Sequence, residues 1–138
     1  MRTRVALVGA VLLPALTTMS WLTLTTGGSS AAEEGATTTC TANGTALAIV
    51  AYDNKFDKDC MAVPADQAFT IELDNQDNGL PHNVSLYDTA NGNKELFKGE
   101  VIYGPSKIAY QVPAQAAGTY EFICDPHSEF MRGTFIVG

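Results

Sequence analysis

The residues of this chain best suited to chemistry gather in one stretch, Phe122-Ile-Cys-Asp-Pro-His-Ser-Glu-Phe-Met131. Within it Cys124, His127 and Met131 follow as Cys-x-x-His-x-x-x-Met, offering a soft anionic sulfur, an imidazole nitrogen and a weak neutral thioether. Soft sulfur combined with imidazole selects copper. Two imidazoles and a thiolate in a plane, with a long axial thioether, make a copper electron-transfer site, so the loop lacks only a second imidazole. The chain has two histidines, and the other is His82, in Gly79-Leu-Pro-His-Asn-Val84. The candidate ligands of one copper ion are therefore His82, Cys124, His127 and Met131.

Each of these residues also has a plainer use. Cys124 alone would read as an inert buried thiol, the histidines as satisfied core imidazoles and Met131 as packing. The alternatives to Met131 in the axial position are a backbone carbonyl or no donor at all. Rival chemistries fit less well. Zinc accepts Cys124, His127 and His82, but a structural zinc site wants a fourth Cys or His and gains nothing from Met131. A Cys124–His127 protease dyad would set both partners three residues apart on one loop, with no evident third group to orient them. A dinuclear copper centre needs a second cysteine in the loop, and only Cys124 is there.

Pro81-His82-Asn83 upstream of Cys124-x-x-His127-x-x-x-Met131 resembles the cupredoxins, the plastocyanin-like and amicyanin-like blue copper proteins. Matching runs extend from about Thr45 to Gly138. They are Val63-Pro-Ala, Tyr110-x-Val-Pro-Ala, Ala117-Gly-Thr-Tyr-x-Phe-x-Cys124 and Gly133-Thr-Phe-Ile-Val137. Plastocyanins usually place four residues between the second His and the Met and amicyanins two, whereas this chain has three. The resemblance implies a Greek-key β-sandwich and one copper ion, with His82, Cys124 and His127 in the plane and Met131 on the axis. It further implies that Asn83 ties the His82 loop to the Cys124 loop by hydrogen bonds, where the plainer reading is a turn asparagine.

Composition sets the compartment and the partners. Arg2 and Arg4 precede an uncharged run from Val5 to Thr26, followed by Gly27-Gly-Ser-Ser-Ala-Ala32. A basic start, an apolar run and small residues at Ser30 and Ala32 read as a signal peptide cut after Ala32. Retained, residues 5–24 are long enough to tether the protein to a membrane. Both readings put the domain outside the cytoplasm, as a periplasmic, cell-surface or secreted protein. Without its first 32 residues the chain keeps 106, and its net charge is −9. That sign argues against nucleic acid or an anionic membrane surface as partner. Of three cysteines in an exported chain, Cys40 and Cys60 are expected to pair, leaving Cys124 free. The alternative is two buried, unpaired thiols.

The elements that must position the ligands read as short strands. Residues 33–44 are small and polar, a flexible lead into a copper-binding domain at 45–138. Phe69, Ile71 and Leu73 alternate with Thr70, Glu72 and Asp74, the period of a half-buried strand. Further strands are expected at Ala46–Ala51, His82–Tyr87, Lys94–Phe97, Ile108–Val112, Gly118–Cys124 and Arg132–Val137. In the His82–Tyr87 strand His82, Val84 and Leu86 share parity, which would bring the imidazole in from the core side. About eight short strands without a convincing helix after the export segment make an all-β Greek-key sandwich the natural packing.

The function expected is one-electron carriage by a single copper ion, without catalysis, between a redox protein donor and acceptor. The alternative is a copper transport or storage protein that exchanges the ion itself. Leu80, Pro81, Pro126 and Phe130 are expected to form an apolar docking rim around His127, and the protein is expected to be a monomer.

Overall fold

The computed structural model describes residues 38–138. The expected signal peptide or anchor at 1–32, the apolar run at 5–24 and residues 33–37 of the lead lie outside the described residues.

The remainder folds as two facing β-sheets. One contains β1 (Ala46–Tyr52), β2 (Lys55–Phe56), β4 (Phe69–Asn75) and β9 (Ser106–Val112), in the order β2-β1-β4-β9. The other contains β3 (Cys60–Val63), β6 (Ser85–Asp88), β7 (Lys94–Phe97), β10 (Gly118–Ile123) and β11 (Arg132–Val137), in the order β3-β11-β10-β6-β7. A small third sheet pairs β5 (Pro81–His82) with β8 (Ile102–Tyr103). Eight strands have four residues or more, and the chain crosses repeatedly between the two larger sheets, as a Greek-key sandwich requires. β1 runs parallel to β4, and β3 parallel to β11, while β4–β9 and β10–β11 are antiparallel.

The core follows from alternation. Phe69, Ile71 and Leu73 are buried, whereas Thr70, Glu72 and Asp74 point outward. They meet Met61, Val63, Leu86, Phe122, Phe135 and Val137 from the opposite sheet. The Phe69 and Phe135 rings stack at 5.4 Å. Each such side chain taken fully out of water contributes about 1.5–3 kcal/mol. Cys40 and Cys60 form a disulfide, which fastens residues 38–44, lacking regular secondary structure, to β3.

The structure corrects the sequence reading in three places. Cys60–Val63 is a strand, hidden from periodicity because Met61, Ala62 and Val63 are all buried. Lys55–Phe56 and Ile102–Tyr103 are two-residue strands where no strand was expected. Most consequential, His82–Tyr87 is not one strand. It breaks after His82, passes through the interior at Asn83 and Val84, and resumes at Ser85 in a different sheet. His82, Asn83, Val84, Ser85 and Leu86 are all fully buried, so parity does not decide where His82 points.

Candidate metal centre

Three connections meet at one end of the sandwich: β4–β5, the β5–β6 break, and the β10–β11 loop. The last is tightly wound. Cys124 follows β10 in extended conformation, and a single 3-10 turn at Asp125–His127 comes next, with Pro126 in its first turn. The His127 amide donates to the Cys124 carbonyl at 3.0 Å and the Met131 amide to the His127 carbonyl at 2.9 Å. The Cys124 amide in turn donates to the Met131 carbonyl at 2.9 Å, closing the loop on itself. Proline and these bonds leave the backbone little freedom, so Cys124, His127 and Met131 are set by the fold.

The side chains converge. Cys124 Sγ lies 3.6 Å from His82 Nδ1 and 3.7 Å from His127 Nδ1. All three donor atoms fall within 4.8 Å of one another. Bonds of about 2.0 Å from imidazole nitrogen and about 2.3 Å from thiolate sulfur to a zinc-sized ion, meeting at about 120°, separate N from S by about 3.7 Å. The cluster therefore fits a metal ion. Its donor set, one thiolate and two imidazoles with a thioether held in the same loop, suits copper. Cys124 and His82 are fully buried and Met131 is 1% exposed, whereas His127 is half-buried and reaches the surface.

Electrostatics point the same way. Burial pushes the Cys124 thiol up, partly offset by the amides of Asn83 and His127, so a thiolate here needs a cation beside it. Burial, and then the nearby His82 ring, lower the His127 pKa and favour the neutral imidazole that a metal requires.

Two carboxylates brace the site. The Asp125 side chain accepts hydrogen bonds from Asn83 Nδ2 at 2.6 Å, Ser85 Oγ at 2.7 Å and the Tyr87 hydroxyl at 2.7 Å. The Asp125 amide donates back to Asn83 Oδ1 at 2.8 Å, so Asn83 binds the Cys124 loop from both ends of its amide. Burial opposes the Asp125 charge, but the donors Ser85, Asn83 and Tyr87 outweigh it and lower the carboxyl. On the opposite side, His82 Nε2 lies 2.9 Å from Asp77 Oδ2. Burial likewise opposes the charge of Asp77, yet the amides of Asn54 and Asp53 and the His82 ring hold the carboxyl below its ordinary value. Among the described residues no buried side-chain nitrogen or oxygen lacks a partner.

Sequence reasoning brought together His82, Asn83, Cys124, His127 and Met131 but missed Asp77, Ser85, Tyr87 and Asp125. Asp77 lies in a polar turn-rich loop, and Asp125 is one of the unspecified positions of the ligand motif, so no periodicity marked either. At the surface, Phe130 is 60% and Leu80 37% exposed, while Pro126 is exposed and Pro81 half-buried. The Phe130 ring sits 5.6 Å from the His127 ring. Tyr103, the strand partner of Pro81, is exposed as well and was not foreseen.

Comparison with known proteins agrees with the fold. Auracyanin A, a "blue" copper protein from the green thermophilic photosynthetic bacterium Chloroflexus aurantiacus, is 23% identical with a TM-score of 0.60, over 70% of this chain and 100% of its own. Auracyanin from Roseiflexus castenholzii is 20% identical with a TM-score of 0.59, over 71% and 99%. Amicyanin from Paracoccus versutus is 27% identical with a TM-score of 0.51, over 67% and 81%. No curated protein sequence matches the chain. The family model described as the cupredoxin-like domain matches residues 14–137, and the chain belongs to that family.

Proposed function

We propose that this protein is an exported mononuclear copper protein that carries one electron at a time and performs no catalysis. The observation that carries this reading is the convergence of two imidazole Nδ1 atoms on the buried Cys124 Sγ, at 3.6 and 3.7 Å, in a loop that Met131 closes. Bound copper supplies the redox step, Cu(II) accepting one electron to become Cu(I) and returning it. The chain supplies a cage that resists change. His82, Cys124 and His127 would hold the ion, and the Met131 thioether would be the weak fourth donor. Pinned by packing and by the Asn83–Asp125 bonds, the ligands have little room to rearrange between the two charge states, which favours fast electron exchange.

Burial also weighs against the reading as a transport or storage protein, because an ion that must be handed over needs accessible ligands and His82 and Cys124 have no exposed surface. Export is supported by the amino-terminal signature and by the Cys40–Cys60 disulfide, which belongs to oxidising compartments. The test is the optical and electron paramagnetic resonance spectrum of the copper-loaded protein. An intense visible thiolate-to-copper band with narrow hyperfine splitting is expected, and a colourless copper-loaded protein would overturn the assignment.

Met131→Leu tests the axial role. Removing a weak donor to Cu(II) favours Cu(I), so the variant should keep its colour and show a higher reduction potential by voltammetry. An unchanged potential would reduce Met131 to core packing.

The partners are redox proteins that dock over His127, the ligand that reaches the surface. Leu80, Pro81, Pro126 and Phe130 would form the apolar rim, and such patches mark interaction sites. Leu80→Lys or Phe130→Lys should slow electron exchange with the native partner and leave spectrum and copper affinity nearly unchanged. Equal stopped-flow rates for both variants and wild type would exclude this rim.

A further inference from the structure

Asp77 is the one carboxylate among the described residues that is buried, at 7% exposed, and its position is unusually constrained. It sits between the His82 ring and the β1–β2 turn. That turn is a two-residue loop, Asp53-Asn54, with positive φ of 53° and 55° at its two residues. Such a backbone suits a tight type I′ hairpin and turns consecutive amides toward one point. The Asp53 amide donates to Asp77 Oδ1 at 2.6 Å and the Asn54 amide to Asp77 Oδ2 at 3.0 Å. Behind it, the Asp77 amide donates to Asn75 Oδ1 at 3.1 Å. The carboxylate cannot swing away from His82 without abandoning the turn amides.

An ionised carboxylate can only accept, so the hydrogen in its 2.9 Å contact with His82 sits on Nε2. In a neutral imidazole that leaves Nδ1 bare, and Nδ1 is the atom that faces Cys124 Sγ at 3.6 Å. A chain of fixed contacts thus runs from the β1–β2 turn through Asp77 and His82 to the Cys124 sulfur. Carboxylates placed behind ligating imidazoles orient the ring and raise its basicity, and removing them typically lowers metal affinity by about 10–100-fold.

We propose that Asp77 is a positioning residue of the metal centre, holding the His82 ring in the tautomer that offers Nδ1 and placing a fixed negative charge behind it that favours the more highly charged Cu(II). This rests on the copper-carrier reading. The competing role for Asp77 is a clasp for the β1–β2 hairpin with no influence on the metal.

Two measurements separate these. In metal-free wild-type protein, ¹⁵N NMR of the imidazoles should find His82 as the Nε2–H tautomer with a slowly exchanging proton. In copper-loaded protein, Asp77→Asn should raise the reduction potential relative to wild type. A tenfold loss of Cu(II) affinity relative to Cu(I) corresponds to about 59 mV for one electron. The control is Glu72→Gln, an exposed β4 residue whose loss changes net charge equally. A shift in Asp77→Asn no larger than in Glu72→Gln, whatever the loss of stability, would overturn the proposal, as would an Nδ1–H tautomer in the wild type. Should Asp77→Asn not fold, Asp77→Ser takes its place, since its smaller side chain leaves room for water to meet the turn amides. Wild-type protein that takes up no copper would refute the carrier reading instead; the tautomer in metal-free protein would then decide the Asp77–His82 contact alone.

Discussion

Replacing Cys124 by serine should abolish the intense visible absorption of the copper-loaded protein and leave a folded domain. Cys124 is the only sulfur anion the site can offer, since Cys40 and Cys60 are joined to each other. A hydroxyl in its place is not deprotonated near neutral pH and gives no low-energy charge transfer to copper, so the colour should vanish rather than shift. The fold should survive. Serine is close to cysteine in size, and the loop is held by its own backbone bonds and by Asn83. Burying a hydroxyl at this fully enclosed position costs about 1–3 kcal/mol if no partner reaches it. Absorption spectra and thermal melts on the same preparation would check both halves, and a variant that stays blue would show that another sulfur reaches the metal.

Gly104→Ala should cause a large loss of stability for a small chemical change. A Cβ at Gly104 would lie 2.3 Å from the Asp77 carbonyl oxygen and 2.5 Å from Asn75 Oδ1. Neither atom can retreat cheaply. Asn75 is fully buried, and its Nδ2 donates to the Leu80 carbonyl at 2.9 Å and the Ile102 carbonyl at 3.0 Å. The Gly79 amide donates to the Gly104 carbonyl and the Gly104 amide to the Leu80 carbonyl, so the clash also strikes the backbone that carries His82. Overpacking of this kind costs about 3 kcal/mol at the upper end of its usual range. For a domain of this size the melting temperature of the metal-free protein should fall by roughly 10 °C or more. Copper uptake should weaken too, because Asp77 and His82 would shift with their loop. A melting temperature within a few degrees of wild type would show that the β4–β5 and β8–β9 connections adapt.

The sandwich and the gathering of His82, Cys124 and His127 were legible in the amino-acid order because both depend on local regularities. Phe69, Ile71 and Leu73 alternate with polar neighbours because one face of their strand is buried and the other is not. Cys124, His127 and Met131 are neighbours in one loop, so spacing alone brings them together, and the two-histidine count left His82 as the partner. Cys40 and Cys60 were separable from Cys124 because it belongs to that loop. What the order of residues could not decide lies in contacts across the chain. Cys60–Val63 is buried on both faces and shows no alternation, so only its pairing with β11 makes it a strand. Asn83 through Ser85 runs through the interior, which is tolerable because Asp125, about 40 residues later, supplies acceptors for Asn83 and Ser85 and the Gly99 backbone bonds to both side chains. Asp77 looks like any polar turn residue until the Asp53-Asn54 turn, from another connection, folds over it and faces it toward His82. A side chain's type and its neighbours in sequence determine what it can donate or accept; the partner that makes the bond arrives from a distant strand, and only the tertiary fold selects it.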